Sequence, residues 1–156
     1  SQTMRWIQCL FLVSVGLLSG CTVANYVVYP YTRMSFQASD DINPDGSGRA
    51  SPLVIRIYEL RSVDTFRSAG FFDLYDEPEG VLDRDLLSMD EVVLRPELVE
   101  KLPEKRLDEN TRYIGIVAAF QNIDDAEWKM ILDANPQGYK DIRIAVDGLE
   151  MSRARD

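Results

Sequence analysis

Apolar and polar residues alternate along much of the chain after residue 32. Met34, Phe36 and Ala38 alternate with Arg33, Ser35 and Gln37, the period of a strand with one buried face. Residues 53–60 (LVIRIYEL) barely alternate, which predicts a strand in a central position. Val63, Phe66, Phe71, Leu74 and Tyr75 fall near helical spacing, broken at Gly70. This predicts one or two short helices lying over a sheet, with another helical turn at 81–87. Residues 91–94 read as a short strand closed by Pro96, and 97–111 as irregular chain with at most one edge strand. Residues 113–120 (YIGIVAAF) are apolar on both faces and predict a buried strand, and 128–132 a further one. Ile142, Ile144 and Val146 alternate with Asp141, Arg143 and Ala145. Asp147-Gly148 is a two-residue hairpin signal, with the returning strand at 149–153. Short strands with turns every 8–12 residues predict an all-β domain, a β-sandwich over 32–156 with a helical insertion at about 63–87.

The first 31 residues follow a different pattern. Ser1-Gln2-Thr3 precede Met4, which reads as the natural start, the first three residues being an appended scar or an upstream misreading. Arg5 is followed by an apolar run at 7–18 (IQCLFLVSVGLL). At 1.5 Å per residue the run covers about 18 Å, short of the ~30 Å hydrocarbon core. A basic start, a short apolar run and small residues describe a signal peptide, here residues 1–20. Leu18-Ser19-Gly20-Cys21 resembles the bacterial lipobox. In that motif the small residues fit the signal peptidase, and the Cys21 thiol receives diacylglycerol and, after cleavage, an N-acyl chain. Two or more acyl chains anchor stably, and Thr22, not Asp, after the cysteine permits the outer membrane. Residues 21–31 are then a lipidated N-terminus and tether.

Composition removes many chemistries. The chain has 156 residues, 17 basic and 26 acidic, with no histidine. Removing residues 1–20 takes away Arg5 and no acid, leaving 16 minus 26, or -10. That charge argues against a nucleic-acid partner. Without histidine there are no His-based triads or His metal sites. The two cysteines, Cys9 and Cys21, both lie in the first 21 residues, so no disulfide scaffold is expected. Asp41, Ile42, Asn43, Pro44, Asp45 and Gly46 match the first half of an EF-hand calcium loop, but position nine is Arg49 and position twelve Pro52. The plainer readings are an Asx- and Gly-rich turn or a partner-binding loop. The carboxylate pairs Asp40/Asp41, Asp83/Asp85 and Asp124/Asp125 sit in polar contexts and read as solvated surface. Ser47 lacks a nucleophile elbow, and Trp128 reads as packing rather than an exposed hot spot. No catalytic residue, metal ligand or cofactor is expected beyond the lipid on Cys21.

Several features then combine. The lipobox and first strand are followed by residues 42–52 (INPDGSGRASP) and 53–60 (LVIRIYEL). Phe66, Phe71-Phe72, Leu74-Tyr75, Leu86-Leu87, residues 93–96 (VLRP), residues 113–120 and Trp128-Lys129 come after them. The pattern resembles the outer-membrane lipoprotein of the bacterial type VI secretion system, the TssJ (SciN) family, over about residues 18–150. The resemblance implies a transthyretin-like two-sheet β-sandwich at the periplasmic face of the outer membrane. It implies a docking protein that binds the periplasmic C-terminal domain of TssM, and through it the TssL-TssM inner-membrane complex. The contact element would be the loop between the first two strands, residues 40–51, with Asp41, Ile42, Asn43, Pro44, Asp45, Gly46, Ser47 and Arg49 at the interface. In this reading Ile42 is an exposed apolar anchor, and Asp41, Asp45 and Arg49 set register by charge. Lys129 stands where the family often carries Arg and would pair with a carboxylate. Two other classes remain open, since fold does not fix function: a lipid-anchored periplasmic binding module for a small ligand or glycan, and a carboxylate-based hydrolase.

Overall fold

The structure is a computed structural model that describes residues 30–154 and, before them, Thr3 alone. Apart from Thr3, the expected signal peptide, Cys21 and residues 22–29 of the tether lie outside the described residues. Two four-stranded sheets face each other. The first has the order β4-β1-β7-β8, from β1 (Thr32–Ala38), β4 (Val99–Lys101), β7 (Lys140–Asp147) and β8 (Glu150–Arg153). The second has the order β3-β2-β5-β6, from β2 (Leu53–Leu60), β3 (Leu86–Leu94), β5 (Tyr113–Ala118) and β6 (Lys129–Asp133). All pairings are antiparallel except β1 with β7, which run parallel from Thr32↔Lys140 to Ala38↔Val146. The two-sheet sandwich expected from strand spacing is therefore the observed architecture.

Alternation decides which side chains meet between the sheets. Met34, Phe36 and Ala38 of β1 and Ile142, Ile144 and Val146 of β7 face Leu53, Ile55 and Ile57 of β2 and Ile114, Ile116 and Ala118 of β5. Phe120 joins this core two residues beyond the end of β5. The opposite face of the second sheet is apolar too. Tyr58, Leu60 and Val117 project there and pack under Phe66, Leu74 and Leu82. Among the described residues, both clusters are drawn from residues 34–151.

The covering residues are the helical insertion: α1 (Asp64–Ser68), α2 (Phe71–Asp76), α3 (Pro78–Leu82) and a 3-10 turn at Asp83–Asp85. None approaches the ~12–15 residues that an isolated helix needs. Each is held by one buried apolar side chain, Phe66, Leu74 or Leu82. Polar bonds add to this. Tyr58 Oη donates to Leu74 O at 2.7 Å. Arg56 donates to Tyr75 O at 2.5 Å and to Glu91 at 2.8 Å, with its guanidinium 3.9 Å from the Tyr75 ring centre. Lys129 Nζ donates to the carbonyls of Phe66 (2.8 Å), Arg67 (3.0 Å) and Ala69 (2.7 Å) at the C-terminal end of α1. The expected carboxylate partner of Lys129 is thus replaced by helix-end carbonyls, where a cation is favoured. Trp128 is half-buried and touches both clusters, which is the packing role expected of it.

Two boundaries differ from expectation. Helix stops at Leu82, and Leu86 and Leu87 already belong to β3. That strand has nine residues rather than the four expected at 91–94. It lies at a sheet edge with both faces partly solvated, so its sequence carries no clean alternation.

At the pole where the described chain begins, a buried carboxylate is held in a polar network. Glu59 Oε1 accepts from Asp108 N and Thr111 Oγ1, both at 2.9 Å. Its Oε2 lies 2.6 Å from Lys105 Nζ, which also reaches Asp90 at 3.0 Å and Ser88 Oγ at 2.7 Å. Burial pulls the Lys105 pKa down, but the bonds to Glu59 and Asp90 outweigh it and the net shift is upward.

Gly115 sits where the Phe66 ring presses on β5; a Cβ there would stand 2.5 Å from Phe66 Cζ. Gly115→Ala is expected to cost about 1–3 kcal/mol through this overlap, read as a fall in thermal midpoint. The double variant Gly115→Ala/Phe66→Leu is expected to destabilise by less than the sum of its two single changes.

Candidate partner-binding loop

Residues 39–52 link β1 to β2 at the pole opposite the start of β1. The loop divides into a fixed base and an exposed tip. At the base, Ser39 N donates to Val146 O at 3.0 Å and Ser39 O accepts from Glu97 N at 3.1 Å. Ser39 Oγ donates to the Asp41 carboxylate, which also accepts from Gly148 N at 3.2 Å. Asn43 is the centre of the base and is only 2% exposed. Its backbone N–H donates to Gly148 O at 2.9 Å and its Nδ2 to Pro52 O at 2.8 Å. Its Oδ1 accepts from Gln121 N at 2.8 Å, and its carbonyl accepts from Ser51 Oγ at 2.5 Å. Asn43 takes a φ of 46°, a left-handed conformation that asparagine tolerates better than most residues.

Ile42 corrects the sequence reading. It is not an exposed anchor; it is fully buried in the inter-sheet core, in the same cluster as Phe36, Leu53 and Phe120. The physical reason is transfer: burying such a side chain gains about 1.5–3 kcal/mol over leaving it in water. No local pattern gave this away: β1 ends at Ala38, Asp40 on the same parity is exposed, and the turn at 40–41 breaks the alternation before Ile42. Asn43, also assigned to the interface, is interior as well.

The tip is the turn at 44–49. Asp45 Oδ1 accepts from the N–H groups of Ser47 (2.8 Å) and Arg49 (3.0 Å). Asp45 N donates to Arg49 O at 2.8 Å, and Gly48 N to Asp45 O at 2.9 Å. Gly48 adopts a φ of 78°, which a side chain there would strain. Gly46, Ser47, Gly48 and Arg49 are exposed, while Pro44 and Asp45 are half-buried. This is the Asx- and Gly-rich turn, with the Asp45 carboxylate engaged by the loop's own amides. Among the described residues no group of three or more Cys, Asp or Glu is arranged to hold a metal ion.

The loop does not stand alone. Gln121, Glu97 and the hairpin turn at Gly148 hold its base, and sequence reasoning linked none of the three to the loop. Their partners lie as far as 78 and 107 residues away in sequence, beyond any local pattern. Around them the pole is acidic: Asp40, Asp41, Glu97, Asp124, Asp125 and Asp147 are exposed, against Arg49 and Arg95.

With the loop seated on this sandwich, the comparison with known proteins is direct. A family model described as type VI secretion lipoprotein, covering VasD, EvfM and TssJ, matches residues 30–149. The chain belongs to the type VI secretion lipoprotein family. It is similar to the crystal structure of the lipoprotein TssJ1 from Pseudomonas aeruginosa, at 32% identity and a TM-score of 0.78. That match covers 83% of this chain and 98% of the relative. It is also similar to Serratia marcescens Lip, described as a membrane-bound component of the type VI secretion system, at 26% identity and a TM-score of 0.75. There 83% of this chain and 99% of the relative are covered. A chain of a type VI membrane complex shares the fold at 22% identity and a TM-score of 0.72, over 82% of this chain and 100% of that one. No curated protein matches the sequence. The transthyretin-like sandwich implied by the resemblance is the fold of the TssJ structures. The family is a structural lipoprotein component of the secretion machinery.

Two outcomes follow from the loop geometry. Asn43→Ala strands the Gln121 N–H and the Pro52 carbonyl and is expected to cost about 1–3 kcal/mol in chemical denaturation. Arg49→Ala, at the exposed tip, is expected to stay within about 0.5 kcal/mol. The second outcome concerns pH. The bond from Ser39, helped by Gly148 N–H, holds the Asp41 carboxyl below its ordinary 3.8. A carboxyl lowered in the folded state adds stability above its unfolded value and loses it as pH falls through the folded one. Asp41→Asn is therefore expected to flatten the loss of urea resistance below pH 3.8, measured as midpoint against pH.

Proposed function

We propose that this chain is acylated at Cys21, sits at the periplasmic face of the outer membrane, and docks the type VI membrane complex there by binding the periplasmic C-terminal domain of TssM. The lipid on Cys21 is diacylglycerol with an N-acyl chain, and the bound TssM links the protein to TssL in the inner membrane. The observation that carries the reading is polarity. The chain leading back to Cys21 joins β1 at Thr32, and the loop leaves β1 at Ala38. Seven residues at ~3.3 Å each separate the two ends by roughly 20 Å. A lipid anchor at one end leaves the loop at the other, free to meet a partner.

Pre-shaping supports the same reading. The loop base is fixed by buried hydrogen bonds, so little freedom is lost when the tip is covered. Contact then falls to Pro44, Asp45, Gly46, Ser47 and Arg49, with Asp41 at the rim. Ile42 and Asn43 act through them by holding the loop up. The acidic surround selects a basic receiving face and speeds encounter with it.

Three results test this. Cys21→Ser is expected to lose incorporation of labelled palmitate and to leave the outer-membrane fraction; retention of both refutes the anchor. Replacing residues 44–49 with a short Gly-Ser turn, sparing Ile42 and Asn43, is expected to keep the thermal midpoint within a few degrees yet weaken TssM-domain binding by at least about tenfold in calorimetry. Equal affinity assigns the contact to another surface. The association rate of the unaltered protein is expected to fall steeply with added salt in stopped-flow measurements.

A further inference from the structure

A cleft of about 300 Å³ opens between the two sheets at the pole where the described chain begins. Its walls are mostly apolar: Met34, Ile57, Leu102, Leu107 and Ile114. One wall residue is Thr32, which is 4% exposed and shares the inward parity of Met34 on β1. Both backbone groups of Thr32 are spent on Lys105, at 2.8 and 3.0 Å. Its Oγ1 is buried and has no hydrogen-bond partner among the described residues. Buried hydroxyls are normally partnered, so a lone one in a cleft wall marks a place for a ligand atom.

The charged residues at the cleft do not offer a rival attraction. Glu59 and Asp90 face Lys105 at 2.6 and 3.0 Å. Glu91 is paired with Arg56 at 2.8 Å, and Glu104 with Arg33 at 3.0 Å. Every carboxylate of the lining already has its cation, and the lining's one cation has its carboxylates. A charged ligand head would lose its hydration here and find no free counter-charge. The space equals roughly ten water molecules, enough for a single short aliphatic chain.

We propose that this cleft binds a small neutral amphiphile, an aliphatic tail ending in one hydroxyl or amide that pairs with Thr32 Oγ1. The site is separate from the loop pole, and its occupancy does not depend on TssM binding.

The test uses 1-octanol as probe, with octylammonium and octanoate as charged counterparts. Residues 30–156, which contain every buried cluster residue among the described residues, and the full chain in lipid nanodiscs are both labelled at the methionine methyls. Met34 lines the cleft and Met151, on β8, does not. Octanol is expected to shift the Met34 methyl saturably and leave Met151 in place, with both charged probes at least about tenfold weaker. Thr32→Val keeps the shape and removes the hydroxyl; it is expected to weaken octanol at least about tenfold without lowering the thermal midpoint. Leu107→Trp, which fills the cleft, is expected to abolish the shift. An unsaturable or absent Met34 shift overturns the proposal, and so does wild-type octanol affinity in Thr32→Val. Binding to residues 30–156 but not to the full chain overturns it as well, by showing that the chain's own N-terminal part fills the cleft.

Discussion

The second sheet cannot face water on either side, and the rest of the molecule is arranged around that constraint. Its central strands, β2 and β5, carry Ile55, Ile57 and Ile116 on one face and Tyr58, Leu60 and Val117 on the other. The first sheet covers one face. Three helices too short to stand alone cover the other, and each depends on the strands as much as they depend on it. At Gly115 the absence of a side chain leaves room for the tip of the Phe66 ring against β5. Lys129 completes the arrangement by closing the end of α1 with a cation reached from β6.

The loop at the far pole works by the same logic on a smaller scale. A polar segment of this length has no reason to hold one shape unless part of it is drawn inside. Ile42 supplies the apolar part and Asn43 the polar part; Asn43 ties the segment to Gly148 and Gln121, and Ser39 ties it to Glu97. The exposed turn at 44–49 is then short and rigid rather than long and loose. Shape at the surface is thus set by residues that never reach it.

How much of this was legible in the sequence depended on distance along the chain. β1, β7 and the turn at Asp147-Gly148 were readable because their alternation and turn chemistry are local. The buried strand at 113–118 and the cover over it were readable because an apolar run on both faces demands burial. The parallel pairing of β1 with β7 was not, because it joins residues more than a hundred positions apart. The Asn43–Gln121 bond was hidden for the same reason. The burial of Ile42 was not legible, because the strand alternation ends at Ala38 and polar residues flank it on both sides. The resemblance of Leu18-Ser19-Gly20-Cys21 to a lipobox rests on local chemistry alone, and those residues lie outside the described part of the chain.

Strand β1 has a mechanical meaning under the anchoring proposed above. The membrane would pull on β1 through Thr32, and the partner would pull through Ala38 by way of the loop. The load therefore runs along the strand axis. β1 lies between β4 and β7, with seven residue pairs on the β7 side alone. Tension entering at Thr32 and leaving at Ala38 would be borne by the covalent backbone of β1, with the ladders on either side only keeping the strand in place. The bonds between strands would be spared, because the force has no need to cross from one strand to the next.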